Sequence, residues 1–255
     1  MSVDRRFGGV ARLYGEAGYQ RLQAAHVAIV GIGGVGSWCA EALARTAVGQ
    51  LTLIDLDMVA ESNTNRQIHA LGDIYGKAKV DAMAERIGQI NPDCQIRCIE
   101  DFVTADNLEN TLGGGFDVVI DAIDQARVKV AMIAFCRQRR QPIVVAGAAG
   151  GQIDPTQIRI ADLSQTTQDP LLAKVRASLR REHGFSRQSK FGIPAVYSTE
   201  PLRYPDKGGS CDADTGNTAP AATGLNCAGF GSSVCVTSVF GMAAASHAIR
   251  LITDR

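Results

Sequence analysis

Short apolar runs alternate with longer segments of helical period along the first 150 residues of the chain. Because a run such as Ile143-Val144-Val145-Ala146 is apolar at every position, it is typical of a parallel strand covered by helices on both faces. The alternation predicts an α/β fold with a doubly wound, mostly parallel, Rossmann-like sheet. The predicted strands lie at 27–31, 51–55, 95–100, 117–121 and 142–146, and the predicted helices at 35–46, 77–90 and 126–140.

The pattern changes after residue 150. Gln152-Ile153 and residues 157–160 alternate polar and apolar side chains, which predicts antiparallel strands that extend the same sheet. Residues 169–190 read as a basic helix, whereas 205–227 are a mixture of glycine, aspartate and asparagine that predicts a turn-rich loop.

The run 230–251 is apolar enough to raise the question of a membrane span. It is rich in small residues and contains His247 and Arg250, which are costly in lipid, so a helix buried against the sheet is favoured. We expect a single domain over 1–255, with a nucleotide-binding core at 26–150 followed by the sheet extension, the basic helix, the loop and the C-terminal helix.

The composition adds limits on the class of protein. Of the 255 residues, 26 are lysine or arginine and 26 are aspartate or glutamate, so any attraction to nucleic acid must come from a local patch. The start of the chain has no apolar signal segment, and seven cysteines without a CxxC pair predict reduced thiols in the cytoplasm and no structural zinc. Two cysteines, Cys211 and Cys227, are candidates for covalent catalysis. We expect the other five to be small buried apolar residues, namely Cys39, Cys94, Cys98, Cys136 and Cys235.

The strongest motif is a glycine-rich turn directly after the first predicted strand. Gly31, Gly33, Gly34 and Gly36 form the pattern GxGGxG and lead into a helix, which is typical of a loop that binds phosphate through its backbone N–H groups. Asp55 and Asp57 follow the second strand, at the distance where an acid can accept a hydrogen bond from a ribose hydroxyl. These two features alone also fit a generic dinucleotide site.

Further polar residues point to a nucleoside triphosphate instead. Arginine and lysine neutralise phosphate oxygens, and a carboxylate at the end of a strand can hold Mg²⁺. Lys77 is expected to be a solvated neighbour of Lys79, because residues two apart on a helix face different ways. The residues that we assign to this site are Asn63, Arg66, Gln67, Lys79 and Asp124.

As an ordered set over about residues 6–155, these motifs resemble the adenylating domain of ubiquitin-activating enzymes and their bacterial relatives of the HesA, MoeB and ThiF type. The resemblance implies ATP and Mg²⁺. It implies that the glycine loop and Asp55 hold the nucleoside, that Asn63, Arg66 and Lys79 hold the phosphates, and that Asp124 positions Mg²⁺ or the reacting phosphate. The shared reaction is attack of a carboxylate on the α-phosphate of ATP.

The same resemblance implies a homodimer in which an arginine of the partner subunit reaches into the site. Arg12 and Arg6 are the candidates, and Arg12 is ranked slightly higher. Of the histidines, His69 and His247 are expected to be structural and His26 and His183 to lie on the surface.

Two features narrow the resemblance to the branch of this family that modifies tRNA. The chain lacks the paired CxxC motifs of relatives that act on sulfur carriers, and it has the segments 147–155, 174–190 and 226–231. This implies adenylation of the carboxylate of a threonylcarbamoyl group on an adenosine beside the anticodon, then cyclisation to an oxazolone with release of AMP and pyrophosphate. It implies tRNA rather than DNA as partner, and leaves open a bound Na⁺ or K⁺ and a sulfur-transfer protein.

The basic segment is the predicted RNA-binding surface. Six cations against one acid after Asp169 favour contacts with an RNA backbone over a merely solvated helix face. Two other functions stay open, namely activation of a small protein with a C-terminal Gly-Gly and nucleotide sensing without turnover. The predicted RNA-binding residues are Lys174, Arg176, Arg180, Arg181, Arg187 and Lys190.

Overall fold

Residues 5–204 and 230–254, which the computed structural model describes, contain a seven-stranded sheet with helices on both faces. Three short 3₁₀ turns, at Glu61–Asn63, Pro155–Gln157 and Leu163–Gln165, lie in the connections. The strands are β1 (His26–Val30), β2 (Gln50–Ile54), β3 (Gln95–Ile99), β4 (Val118–Asp121), β5 (Ile143–Ala146), β6 (Ile158–Asp162) and β7 (Pro194–Ser198). The helices are α1 (Gly8–Ala24), α2 (Gly36–Arg45), α3 (Lys79–Ile90), α4 (Leu108–Leu112), α5 (Ala126–Gln138), α6 (Pro170–Glu182) and α7 (Val234–Thr253).

The strand order β3-β2-β1-β4-β5-β7-β6 places a topological switch between β1 and β4. All neighbouring strands are parallel except β6 and β7, so the predicted fold class is confirmed. The last residue of β1, Val30, is level with Ile54 on one side and Asp121 on the other. The loops that follow β1, β2 and β4 therefore meet at one edge, which is where ligands bind in doubly wound sheets.

Two apolar cores lie on opposite faces of the sheet. Val27 and Ile29 of β1 point into the core shared with α2, α3 and α7, whereas Ala28 and Val30 point into the core shared with α5 and α6. All four side chains are buried, because a strand covered on both faces must be apolar at successive positions. This confirms the interpretation of the continuous apolar runs.

Helix α7 is long and apolar enough to span a membrane by length and composition, but half of that apolar window is buried inside the protein. Its small residues explain the packing. A Cβ at Gly241 would lie 2.4 Å from the carbonyl oxygen of Val35 and 2.8 Å from the amide of Cys39. Glycine thus lets α7 approach α2 closely, as expected for a core helix.

Several predictions of local structure are wrong. Gln152-Ile153 lies outside the strands, and β7 was not predicted because its run Pro194–Ser198 is short and begins with proline. The basic helix ends at Glu182 rather than at residue 190, and α1, kinked at Gly15 with φ of +72°, was also not predicted. The predicted loop at 205–227, with Cys211 and Cys227, lies outside the described residues.

The cysteine and histidine predictions are confirmed only in part. Three cysteines are buried as expected, but Cys98 and Cys235 are exposed. His69 is buried and His183 is exposed, as predicted, whereas His26 is half-buried in β1 and its Nε2 lies 2.8 Å from Thr52 Oγ1. The cysteines that are buried are Cys39, Cys94 and Cys136.

Candidate functional site

A cavity of about 350 Å³ lies at the carboxyl edge of the sheet, over the switch between β1 and β4. All of the residues predicted to bind the nucleotide line it except Gly36. The fold brings them together from four separate segments, because the loops after β1, β2 and β4 converge there with the start of α3. The predicted residues at this cavity are Gly31, Gly33, Gly34, Asp55, Asp57, Asn63, Arg66, Gln67, Lys79 and Asp124.

Each glycine of the loop after β1 is required by the structure for a different reason. Gly31 has φ of +88°, and a Cβ there would lie 3.1 Å from the backbone of Ala122. A Cβ at Gly36 would lie 1.8 Å from the carbonyl oxygen of Gly31, so this position serves the close turn into α2 rather than the lining of the cavity. A Cβ at Gly33 would meet only Gln67 Nε2 at 3.9 Å, which leaves the loop open toward a ligand.

Asp55 fastens the glycine loop to the end of β2. Its Oδ2 accepts a hydrogen bond from the amide of Ile32 at 2.6 Å, and its Oδ1 accepts one from the amide of Asp57 at 2.9 Å. Burial raises the pKa of Asp55, while the positive charge of Lys79 opposes that shift. The carboxylate thus lies at the cavity with an acceptor capacity that its two backbone donors do not exhaust.

Lys79 brings a nearly buried positive charge to the cavity. It is the first residue of α3, its side chain is only 8% exposed, and its Nζ lies 2.7 Å from Asp57 Oδ2. Lys77 pairs instead with Glu85 of α3 and does not line the cavity. The two lysines therefore face different ways, but helical spacing is not the reason, because Lys77 lies before α3, which begins at Lys79.

Arg66 is held by the segment between β2 and α3. Its carbonyl accepts a hydrogen bond from Trp38 Nε1 at 2.9 Å, and its Nη1 donates to the carbonyl of Ser62 at 2.8 Å and to Asn65 Oδ1 at 2.9 Å. Its side-chain carbons lie against the glycine loop, since a Cβ at Gly34 would come 3.2 Å from Arg66 Cγ. Partial burial lowers the pKa of Arg66, which still remains a cation at neutral pH.

The residues that sequence reasoning missed follow the same topological rule. Asp101, Phe102 and Val103 come after β3, and the 147–150 segment comes after β5, so both lie at the carboxyl edge with the predicted residues. The available signal was their position directly after a predicted strand. Helix α7 and the residues before it complete the wall with Phe230, Ser232 and Thr237.

The donor set at the cavity fits Mg²⁺ in only one way. Among the described residues there is no group of three or more histidine, cysteine, aspartate or glutamate side chains that could hold a metal. Mg²⁺ is commonly bound by one or two carboxylates together with the phosphates of a nucleotide and water. Asp124, three residues after the end of β4, suits that mode.

The predicted RNA-binding residues differ in exposure and in the contacts that they make. Arg176 donates to Thr166 Oγ1, the guanidinium of Arg180 lies 5.3 Å from the centre of the Phe191 ring, and Arg181 pairs with Glu182. Helical geometry turns positions 176 and 180 away from 174 and 181. Three of the six predicted residues are exposed and take no part in the contacts just described. These are Lys174 within α6, and Arg187 and Lys190 beyond its end.

Neither arginine predicted to act across a dimer lies in the cavity of its own chain. Arg12 is exposed on α1. Arg6 borders a separate cleft of about 410 Å³ with Arg45 and Arg86. Within one chain, the structure therefore does not place Arg12 or Arg6 at the nucleotide cavity.

Comparison with known proteins identifies close relatives. The sequence profile described as the ThiF family matches residues 8–255. A protein of Escherichia coli strain K12 named tRNA threonylcarbamoyladenosine dehydratase is 53% identical over 249 residues, which cover 96% of this chain and 92% of that protein. A protein of the same name from Haemophilus influenzae is 47% identical over 251 residues, covering 97% and 93%.

Solved structures show the same similarity. The structure titled TcdA (CsdL) has a TM-score of 0.88 at 50% identity, over 98% of this chain and 94% of that one. The Escherichia coli dehydratase in complex with ATP has a TM-score of 0.87 at 48% identity, over 100% and 98%. A third structure, of that dehydratase in complex with AMP, has a TM-score of 0.86 at 49% identity, over 99% and 98%.

Proposed function

This chain belongs to the ThiF family, and we propose on that premise that it is an ATP-dependent enzyme that dehydrates threonylcarbamoyladenosine in tRNA. One observation carries the proposal. The residues expected to hold a nucleotide, all except Gly36, converge on a single cavity, in a fold that superposes along nearly its whole length on a dehydratase crystallised with ATP.

The chemistry follows from what the cavity offers. An oxygen of the threonyl carboxylate attacks the α-phosphorus of ATP, and pyrophosphate leaves. Because both reactants are anions, Arg66 and Lys79 are needed to reduce their repulsion and to place the triphosphate in line. The ureido oxygen of the same group then attacks the acyl carbon and AMP leaves, so that the nucleoside loses one water overall and no enzyme nucleophile is required.

Asp124 is the proposed ligand for Mg²⁺, which when bound would neutralise phosphate charge. The glycine loop supplies backbone N–H groups and the positive end of α2 to the phosphates. Asp55 is proposed to accept a hydrogen bond from the ribose, and Asn63 and Gln67 to complete the polar wall. Asp57, through its ion pair, keeps Lys79 oriented into the cavity.

We further propose that the enzyme is a homodimer in the cytoplasm and that Arg12 of one protomer, or else Arg6, acts at the cavity of the other. The placement of both side chains outside their own cavity supports this arrangement. Exposed Lys174, Arg187 and Lys190 are the proposed contacts with the tRNA backbone. Bound Na⁺ or K⁺ and a sulfur-transfer partner stay predictions to which we assign no residues.

The decisive experiment is single-turnover incubation with Mg-ATP and tRNA that carries threonylcarbamoyladenosine. We expect AMP and pyrophosphate in equal amounts with a nucleoside lighter by one water. The control is the same tRNA without the threonylcarbamoyl group, which offers no carboxylate. An unchanged nucleoside, or pyrophosphate exchange stimulated by a small carrier protein and indifferent to tRNA, would instead favour the carrier-activating function.

A further inference from the structure

Two loops that border the nucleotide cavity are each held by a carboxylate that lies beneath it. Asp121 Oδ1 accepts a hydrogen bond from the amide of Ile123 at 3.3 Å, and Asp169 Oδ2 accepts one from the amide of Ala148 at 2.9 Å. Ile123 and Ala148 both line the cavity, in the segments that follow β4 and β5. Asp169 also caps α6 through the amide of Leu172 at 2.9 Å.

Lys129 of α5 pairs directly with Asp121, and its positive charge also acts on Asp169. Its Nζ lies 2.8 Å from Asp121 Oδ1 and 3.4 Å from the carbonyl oxygen of Asp121. Burial raises the pKa of Asp121 and of Asp169, and in both cases the charge of Lys129 opposes that effect. Asp121 and Lys129 are fully buried and Asp169 is 4% exposed, so water does not screen this cluster.

Within this cluster of Asp121, Lys129 and Asp169, Asp169 is closely packed whereas Asp121 has few contacts. A Cβ at Gly147 would come 2.0 Å from Asp169 Oδ2, so the carboxylate rests against the backbone of the 147–150 segment. Asp121 Oδ2, in contrast, is buried and has no hydrogen-bond partner among the described residues. The orientation of the Asp121 carboxylate therefore depends chiefly on Lys129.

Such an arrangement is costly to build and contributes little to stability by itself. Removing two charges from water offsets most of their attraction, and a well-packed apolar pair of similar size is often equally stable or more so. The presence of a buried ion pair here is better explained by the positions of the backbone segments that its carboxylates hold. Both loops that it holds end at the cavity, and one of them contains Asp124.

We propose that the Asp121–Lys129 pair is a positioning device for the adenylation step, which sets the loop with Asp124 and the 147–150 segment at a fixed separation across the phosphates. The pair touches neither substrate, and this inference rests on the proposed function for the reaction concerned. Because misplacement of a catalytic group by about 1 Å can lower a rate a hundredfold, a small relaxation of the two loops is enough to slow the chemistry.

The test compares Lys129→Met with the apolar pair Asp121→Val/Lys129→Met, and uses Lys77→Met as the matched lysine-to-methionine control on the surface. We expect Lys129→Met to be destabilised, because it leaves a buried carboxylate unpaired. The apolar pair should recover the unfolding midpoint of the unsubstituted enzyme. Its kcat should nevertheless be lower by about tenfold or more, with KM for ATP changed by less than about threefold.

A second readout does not depend on activity. The hydrogen-bond acceptor of the Ala148 amide, Asp169, is intact in the apolar pair, yet we expect that amide to exchange hydrogen faster once Lys129 is gone. If the unsubstituted enzyme fails to dehydrate the nucleoside, the proposed function fails, while Ala148 exchange still decides the role of the pair.

Three results would overturn the inference. These are full kcat in the stable apolar pair, a rise in KM that accounts for the whole loss of activity, and unchanged exchange at Ala148. Failure of the apolar pair to fold would also overturn it, since the pair would then serve the fold itself.

Discussion

Replacement of Lys79 by methionine is expected to weaken ATP binding with little change in stability. Methionine retains most of the buried stem but removes the charge at the cavity. A hydrogen bond to a charged group contributes about 1.5–3 kcal/mol. At about 1.4 kcal/mol for each factor of ten, the dissociation constant for ATP should rise by about 10- to 150-fold.

The effect on folding should be small because of where the partner lies. The side chain of Asp57 is 57% exposed, so water can solvate its carboxylate once the ammonium is absent. Ion pairs with such an exposed member contribute at most about 1 kcal/mol. A large loss of stability would therefore mean that Lys79 supports the fold rather than the ligand.

Lys77→Met is the matched control, because Lys77 is two residues away, pairs with Glu85 and does not line the cavity. Isothermal titration with a non-hydrolysable ATP analogue and Mg²⁺ measures the affinity, and thermal unfolding without nucleotide measures the stability. Equal affinity of the two variants for the analogue would refute the assignment of Lys79 to the phosphates.

Three further predictions concern the glycine loop, the reacting phosphate and pH. Gly36→Ala should prevent correct folding, because its Cβ would lie 1.8 Å from backbone, whereas Gly33→Ala should fold and lose ATP affinity; thermal unfolding and nucleotide titration separate them. Asp124→Asn should bind ATP but form AMP about a hundredfold or more slowly, measured by single-turnover assay. Burial lowers the pKa of His69 to about 4 from 6.5, so the unfolded chain takes up the proton first and about 3 kcal/mol of stability should be lost as pH falls between those values. His69→Gln should flatten that part of the denaturation profile, and an unchanged profile would contradict the assignment.

The sequence was sufficient to predict the core of the sheet because its strands are buried on both faces. Val118, Val119 and Ile120 are fully buried, so the sequence there is apolar at every position and does not show the hydrophobic spacing of a helix. β7 differs, because its five residues begin with proline and its place between β5 and β6 depends on long-range pairing. The end of α6 at Glu182 was missed because the positive charges continue past the last helical turn.

The phosphate-side residues were predictable because they follow strand ends in order along the chain. Asp55 and Asp124 are of this kind. That Gly36 lies outside the cavity lining could not be predicted, because a glycine that lines a cavity and one that lets two backbones approach look the same in a motif. The Asp121–Lys129 contact joins residues eight apart across a strand, a turn and a helix, and no local period signals it.

The charges at the cavity indicate that the proposed reaction needs positive charge beyond that of the described lining residues. Among the described lining residues, Arg66 and Lys79 face four carboxylates, those of Asp55, Asp57, Asp101 and Asp124. A triphosphate and a second carboxylate would add further negative charge, which the backbone dipoles of the glycine loop offset only in part. We therefore expect further positive charge from outside the described lining residues. We propose that Mg²⁺ and an arginine of a partner subunit supply it, so we expect ATP binding to depend steeply on both the divalent cation and dimer formation.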